Sequence, residues 1–171
     1  MSLNRYNIKR LTLSALFASI ILIFTAFIFH IPISSSGAYI HFGDVFIFLA
    51  ATLLPYPDAL FASAIGAGLA DFMSGYPMWI PFTLVIKPIM VMCFTSHGSK
   101  ILLSKRNLIA PFLSGAICLL GYYLAEVILY GNFISPLASI PGGIIQFGGS
   151  IVFYFIFAKM IDNRDLKGKL I

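Results

Sequence analysis

Residues 71–87 read DFMSGYPMWIPFTLVIK. Asp71 closes one apolar helix, Gly75-Tyr76-Pro77 makes a turn, and Lys87 lies well inside the next apolar run. Glycine and proline between two apolar stretches mark a helix–loop–helix boundary. Nearly everything around Lys87 is hydrocarbon-soluble. A charged side chain at the centre of a bilayer costs about 2.5–3.5 kcal/mol on insertion scales, so such a group faces a cavity or a partner. Lys87, and the acids that could meet it, direct the reading of the rest of the chain.

The 171 residues are 60% hydrophobic and only 10% charged. An ordinary soluble domain carries about 25% charged residues. The expectation is an all-α integral membrane protein: a single membrane domain over 1–171, with six transmembrane helices. Apolar runs place these at about 11–33, 43–54, 59–74, 78–103, 108–130 and 141–161. The first run follows MSLNRYNIKR but exceeds the roughly 7–15 residues of a signal-peptide core, and it reads as the first span. The second is too short for a straight crossing of a core about 30 Å thick. It must tilt, thin the bilayer or be shielded by its neighbours.

Charge decides the topology. Arg5, Lys9 and Arg10 precede the first span. Lys100, at the end of the fourth, and Lys105 and Arg106, before the fifth, form a second cluster, and Lys159, Arg164, Lys167 and Lys169 close the chain. Six spans put all three clusters on one side, leaving loops 33–42, 75–78 and 131–140 without Lys or Arg. The positive-inside rule then predicts both termini in the cytoplasm. The net charge of +5 reads as topology and contact with anionic lipid, not nucleic acid.

Four ionisable residues fall inside the spans: Asp44, Asp71, Lys87 and Glu126. All belong to the outer half. A proton or ion path should leave acids at several depths, whereas a one-sided cluster suits a binding site that opens outward. The plainer alternative is a structural ion pair of Lys87 with Glu126 or Asp71. Pro88 cannot donate to the Leu84 carbonyl, which leaves an acceptor in the same zone. Tyr122, Tyr123, Glu126 and Tyr130 share a helix face at spacings of three and four. Tyr39, His41, Trp79, Asn132 and Gln146 can reach the same mouth. Aromatic walls with a few polar groups suit a small heteroaromatic ligand, although Tyr and Trp also form interfacial belts.

Small residues recur at helix-packing spacing: Ser14/Ala18 and Ala15/Ser19 on helix one, and Ala59, Ala62, Ser63, Gly66, Ala67 and Ala70 on helix three. For helix three this reads as packing within the bundle. For helix one it is either packing or a contact with an outside partner. On helix six, Gly142, Gly143, Gln146, Gly149 and Ser150 form a packing face or a polar wall.

No G-x-x-x-x-G-K-[ST] phosphate loop, HExxH or Cys/His cluster occurs, so no catalytic residue, metal site or cofactor is expected. Cys93 and Cys118 read as small buried hydrophobes. The chain shows no internal repeat of the kind that builds inverted-repeat transporters. A self-sufficient secondary transporter and a structural membrane scaffold remain as alternatives.

GAYIHFGDVFIFLAATLLPY (37–56) and GAGLADFMSGYPMWIPFTLVIKP (66–88) resemble the substrate-binding S components of energy-coupling factor (ECF) vitamin transporters. The branch is the one that includes riboflavin- and pyridoxine-type members. The resemblance implies a subunit that captures a vitamin or precursor outside the cell and has no ATPase of its own. Its implied partners are a transmembrane coupling protein of the EcfT type and two cytoplasmic ATPases of the EcfA type, in the cell membrane. It further implies that the subunit topples to release its cargo. The family's helix-one contact motif, Ala-x-x-x-Ala, corresponds here to Ser14/Ala18 and Ala15/Ser19, different in type but not in size. The implied ligand position maps to Tyr39, His41, Asp44, Trp79, Lys87, Glu126 and Gln146, to which the polar cluster adds Asp71. Pyridoxine and hydroxymethylpyrimidine suit a cluster of this size. Riboflavin fits the branch but needs a larger pocket.

Overall fold

Prolines set most of the helix boundaries. The computed structural model describes residues 5–28, 31–32, 39–96, 102–164 and 167. Among them six α-helices run in order: α1 (Arg5–Ala26), α2 (Gly43–Leu53), α3 (Tyr56–Met73), α4 (Ile80–Met92), α5 (Lys105–Tyr130) and α6 (Ile140–Asn163). Leu54 before Pro55 is extended, at φ −79° and ψ 154°, as sterics before a proline demand, and α2 stops there. Pro57, Pro81 and Pro141 each sit in the first turn of a helix, where the missing N–H has no intrahelical partner to lose.

Helix α3 ends in a Schellman motif. Tyr76 N–H donates to Asp71 O at 2.9 Å and Gly75 N–H to Phe72 O at 3.2 Å. Gly75 takes φ +83°, the left-handed conformation that this cap requires. A short 3-10 turn, Pro77–Trp79, then leads into α4. A second, Ser135–Ser139, leads into α6.

Two segments differ from the sequence expectation. The first helix covers Arg5–Ala26, not 11–33. Pro32 holds Ile31 away from helical geometry, and Ile31 pairs instead with Ile40 in a two-residue antiparallel ribbon, β1 (Ile31–Pro32) with β2 (Tyr39–Ile40). The fourth helix ends at Met92, not near 103. Side chains from α5 satisfy its last carbonyls. Arg106 donates from Nη2 to Met92 O at 2.7 Å and from Nε to Cys93 O at 2.9 Å. Asn107 then clasps the connection, donating to Thr95 O and Leu102 O and accepting from Thr95 N–H. Asp162 of α6 accepts from the N–H groups of Leu102 and Leu103.

Among the described residues, three stretches are long and apolar enough to cross a membrane: Ile8–Ala26, Lys105–Tyr130 and Ser135–Asn163. The 11 residues of α2 reach only about 16 Å. Every residue of α2 except Phe46 is buried, and α1, α3, α4 and α6 all pack against it. The short helix is therefore shielded by protein. Phe48 of α2 makes mutual ring contacts with Phe94 and Tyr154 at 5.1–5.8 Å.

Helices α1 and α3 meet closely because α3 is small-faced. A Cβ added at Gly66 would lie 2.6 Å from Ala18 O. All the small α3 residues named above are buried. At the far end of this seam, Arg10 Nη2 pairs with Asp58 Oδ2 at 2.7 Å. Asp58 stands in the first turn of α3, where the helix dipole favours an anion.

Candidate functional site

The end of the bundle that carries the ribbon and both 3-10 turns holds a cavity of about 120 Å³. Its polar floor starts at Asp44, in the first turn of α2. Lys87 Nζ donates to Asp44 Oδ1 at 2.6 Å, and Gln146 Nε2 donates to Oδ2 at 2.9 Å. Both partners of the ion pair are almost wholly buried, with side chains 2% and 4% exposed. His41 adjoins the pair: Nδ1 accepts from Gly43 N–H at 3.1 Å, and Nε2 lies 3.1 Å from Gln146 Nε2. An Nδ1 that accepts leaves the proton of a neutral ring on Nε2, so that contact sets two donors side by side next to the Asp44 carboxylate. That carboxylate has one strong donor on each oxygen and room for a further one on each.

Three protein groups surround the Lys87 ammonium. It donates to Asp44, Cys118 Sγ lies 3.8 Å away, and the ring centre of Tyr122 lies at 5.3 Å. Lys87 thus stands behind Asp44 and is absent from the cavity wall. Its ammonium donates to the carboxylate and fixes where that oxygen points.

The walls are aromatic. Trp79 and Tyr122 face the cavity with ring centres 5.8 Å apart. The Tyr122 hydroxyl is tied to Thr83 Oγ1 at 2.8 Å. Trp79 is 5% exposed, and among the described residues its Nε1 has no hydrogen-bond acceptor. At the rim, Ser139 Oγ donates to Glu126 Oε2 at 3.2 Å. Phe147 and Tyr123 close the α5–α6 side.

Of the residues singled out in the sequence, His41, Asp44, Trp79, Glu126 and Gln146 line one cavity. Asp71 is buried on α3 but is not part of the wall. Tyr39 pairs with Pro32 in the ribbon, and its side chain lies outside the described residues. Asn132 turns back on its own chain, accepting from the N–H groups of Ile134 and Ser135. The lysine's acid partner is Asp44, not Glu126 or Asp71.

Residues 5–163 match the family described as the ECF-type riboflavin transporter, S component. The chain belongs to this S-component family. A protein of Pyrococcus woesei, described as an uncharacterized protein in gap 3'region, is 36% identical over 138 residues. That match spans 73% of this chain and 88% of the relative.

The family is one of transporter subunits in a membrane, and the S component's helix one can be read in that light. Ala18 packs into the α1–α3 seam at Gly66. Ser14 is half-buried, with its hydroxyl donating to Arg10 O. Ala15 and Ser19 are exposed on the outer side of the same helix. The two small pairs therefore divide, one stripe facing inward and one outward.

Sequence reasoning missed Thr83, Cys118, Ser139 and Phe147. Cys118 looked like any buried hydrophobe. Thr83 and Ser139 stand one helical turn from Lys87 and in a 3-10 turn, positions that only three-dimensional placement makes polar. For Phe147 there was a signal: Gly115, a helix-interior glycine opposite it on α5, implies a close approach.

Proposed function

We infer that this S component captures a single-ring heteroaromatic vitamin or precursor, of pyridoxine or hydroxymethylpyrimidine size, at the outer membrane face. ATP-driven uptake then depends on a transmembrane coupling protein of the EcfT type and two cytoplasmic EcfA-type ATPases. The observation that carries this is the Asp44 carboxylate, held between Lys87 and Gln146 on the floor of an aromatic cavity. A buried ion pair is weak support for stability on its own account, since its desolvation cost offsets its attraction. Retaining one at the base of a cavity favours a binding role. Asp44 would accept from a ring N–H or hydroxymethyl group, and Trp79 Nε1 would donate to a ring nitrogen or oxygen. The cavity, about 120 Å³, is small beside the ~300–1,000 Å³ of drug-sized sites. A second reading, riboflavin, is favoured by the family description and needs the cavity to widen.

The reading includes six spans in the cell membrane, with both termini in the cytoplasm. Charge asymmetry supports it, and so does the polar cavity at the end away from the basic clusters. In a background free of Cys93 and Cys118, a single cysteine at Ser135 should react with an impermeant thiol reagent from outside. One at Lys105 should not. Labelling of Lys105 from outside would sink the six-span arrangement.

Trp79 is the only tryptophan and lines the cavity. A ligand that stacks on it or removes water beside it changes its emission. The purified subunit should therefore show a saturable fluorescence change with the correct vitamin, without ATP or partners. Binding seen by calorimetry with Trp79 emission unmoved would take Trp79 out of the site. Titration of pyridoxine, hydroxymethylpyrimidine and riboflavin against one preparation ranks the substrates.

A further inference from the structure

The cavity wall between α5 and α6 is made by two reciprocal insertions. Phe147 of α6 lies on Gly115 of α5 so closely that a Cβ there would fall 1.4 Å from ring carbon Cε2. Leu119 of α5 presses into Gly143 of α6, where a Cβ would fall 2.4 Å from Leu119 Cδ2. All four residues line the cavity. The bare face of Gly115 gives the ring the room it occupies. A methyl group at Gly115 must displace the ring, because contacts this short are sterically forbidden. Removing the ring leaves the glycine face open and joins its space to the cavity.

We propose that Phe147, seated on Gly115, is the specificity-determining residue that sets the width of ligand the cavity admits. This deepens the capture function proposed above and rests on it. A gain of one methylene's space in an apolar pocket is worth roughly 10- to 200-fold in discrimination. The Phe147 ring is far larger than a methylene, and it borders a cavity whose whole volume is about 120 Å³. The sizes that compete are a single pyridine or pyrimidine ring and a fused tricyclic ring. The Phe147–Gly115 contact decides between them, while Asp44 and Gln146 read the polar edge that either ligand presents.

The test is calorimetric titration of the full chain with pyridoxine and with riboflavin, in wild type, Phe147→Ala, Phe147→Leu and Gly115→Ala. The readout is the ratio of the riboflavin to the pyridoxine association constant. It should rise roughly tenfold or more in Phe147→Ala, rise less in Phe147→Leu, and fall roughly tenfold or more in Gly115→Ala. Phe147→Leu keeps an apolar side chain in the seam and covers the case in which the alanine variant does not fold. A ratio within about twofold of wild type in the folded variants overturns the proposal while leaving capture intact. Wild-type protein that binds neither compound overturns the capture function, and this inference with it.

Discussion

Lys87→Ala is expected to destabilise the bundle and abolish tight ligand binding together, and Asp44 is the reason for both. The substitution leaves a carboxylate, 3% exposed, with no cation beside it. Breaking a buried pair from one side typically costs about 3–5 kcal/mol, because the surviving charge is uncompensated. Replacing both charges, as in Asp44→Asn with Lys87→Met, removes that penalty and should restore the melting temperature in detergent close to wild type. It should not restore affinity. A charge-assisted hydrogen bond is typically worth ~1.5–3 kcal/mol, so the double variant should bind roughly 10- to 150-fold more weakly. Stability rescued together with full affinity would make the pair a structural strut and nothing more.

The second large effect separates the two sides of helix α1. Ala18→Trp forces a bulky ring into a seam so tight that even a Cβ at Gly66 would lie 2.6 Å from Ala18 O. Overpacking of this kind costs about 1–3 kcal/mol or more, and the isolated subunit should melt early and lose ligand. Ser19→Trp adds the same ring to an exposed position on the other stripe. The isolated subunit should keep its melting temperature and affinity, while co-purification with the coupling protein and the ATPases falls. Equal losses of stability from both substitutions would show that the outward stripe is also packed within the bundle.

Much of this architecture was legible in the chain. Loops without Lys or Arg, together with the proline-marked boundaries, located the helices, and the one-sided acids pointed to one end of the bundle. Two helix ends were not legible. Hydropathy runs on past Met92, but Arg106 and Asn107 take the carbonyls and N–H groups a longer helix would have used. The partner of Lys87 was not legible either. Each helix here is apolar almost all round, so the sequence carries little information on its rotation about its axis. The sequence favoured Asp71 or Glu126, each one turn below an outer helix end, over Asp44 at the outer start of α2, and only the packing of a shielded α2 against α4 selects Asp44. The same limit hid the placement of Lys87 behind its acid and out of the cavity wall.

The Asp44 floor is expected to capture a vitamin without help from the ATPases. Native mass spectrometry of the freshly purified subunit tests it most directly. Wild-type protein should carry a heteroaromatic vitamin or precursor at up to one per chain, and the Asp44→Asn, Lys87→Met variant, equally well folded, should be empty. The same small molecule retained by both proteins, or a wild type that is empty and cannot be loaded with any of the three vitamins, would contradict the account.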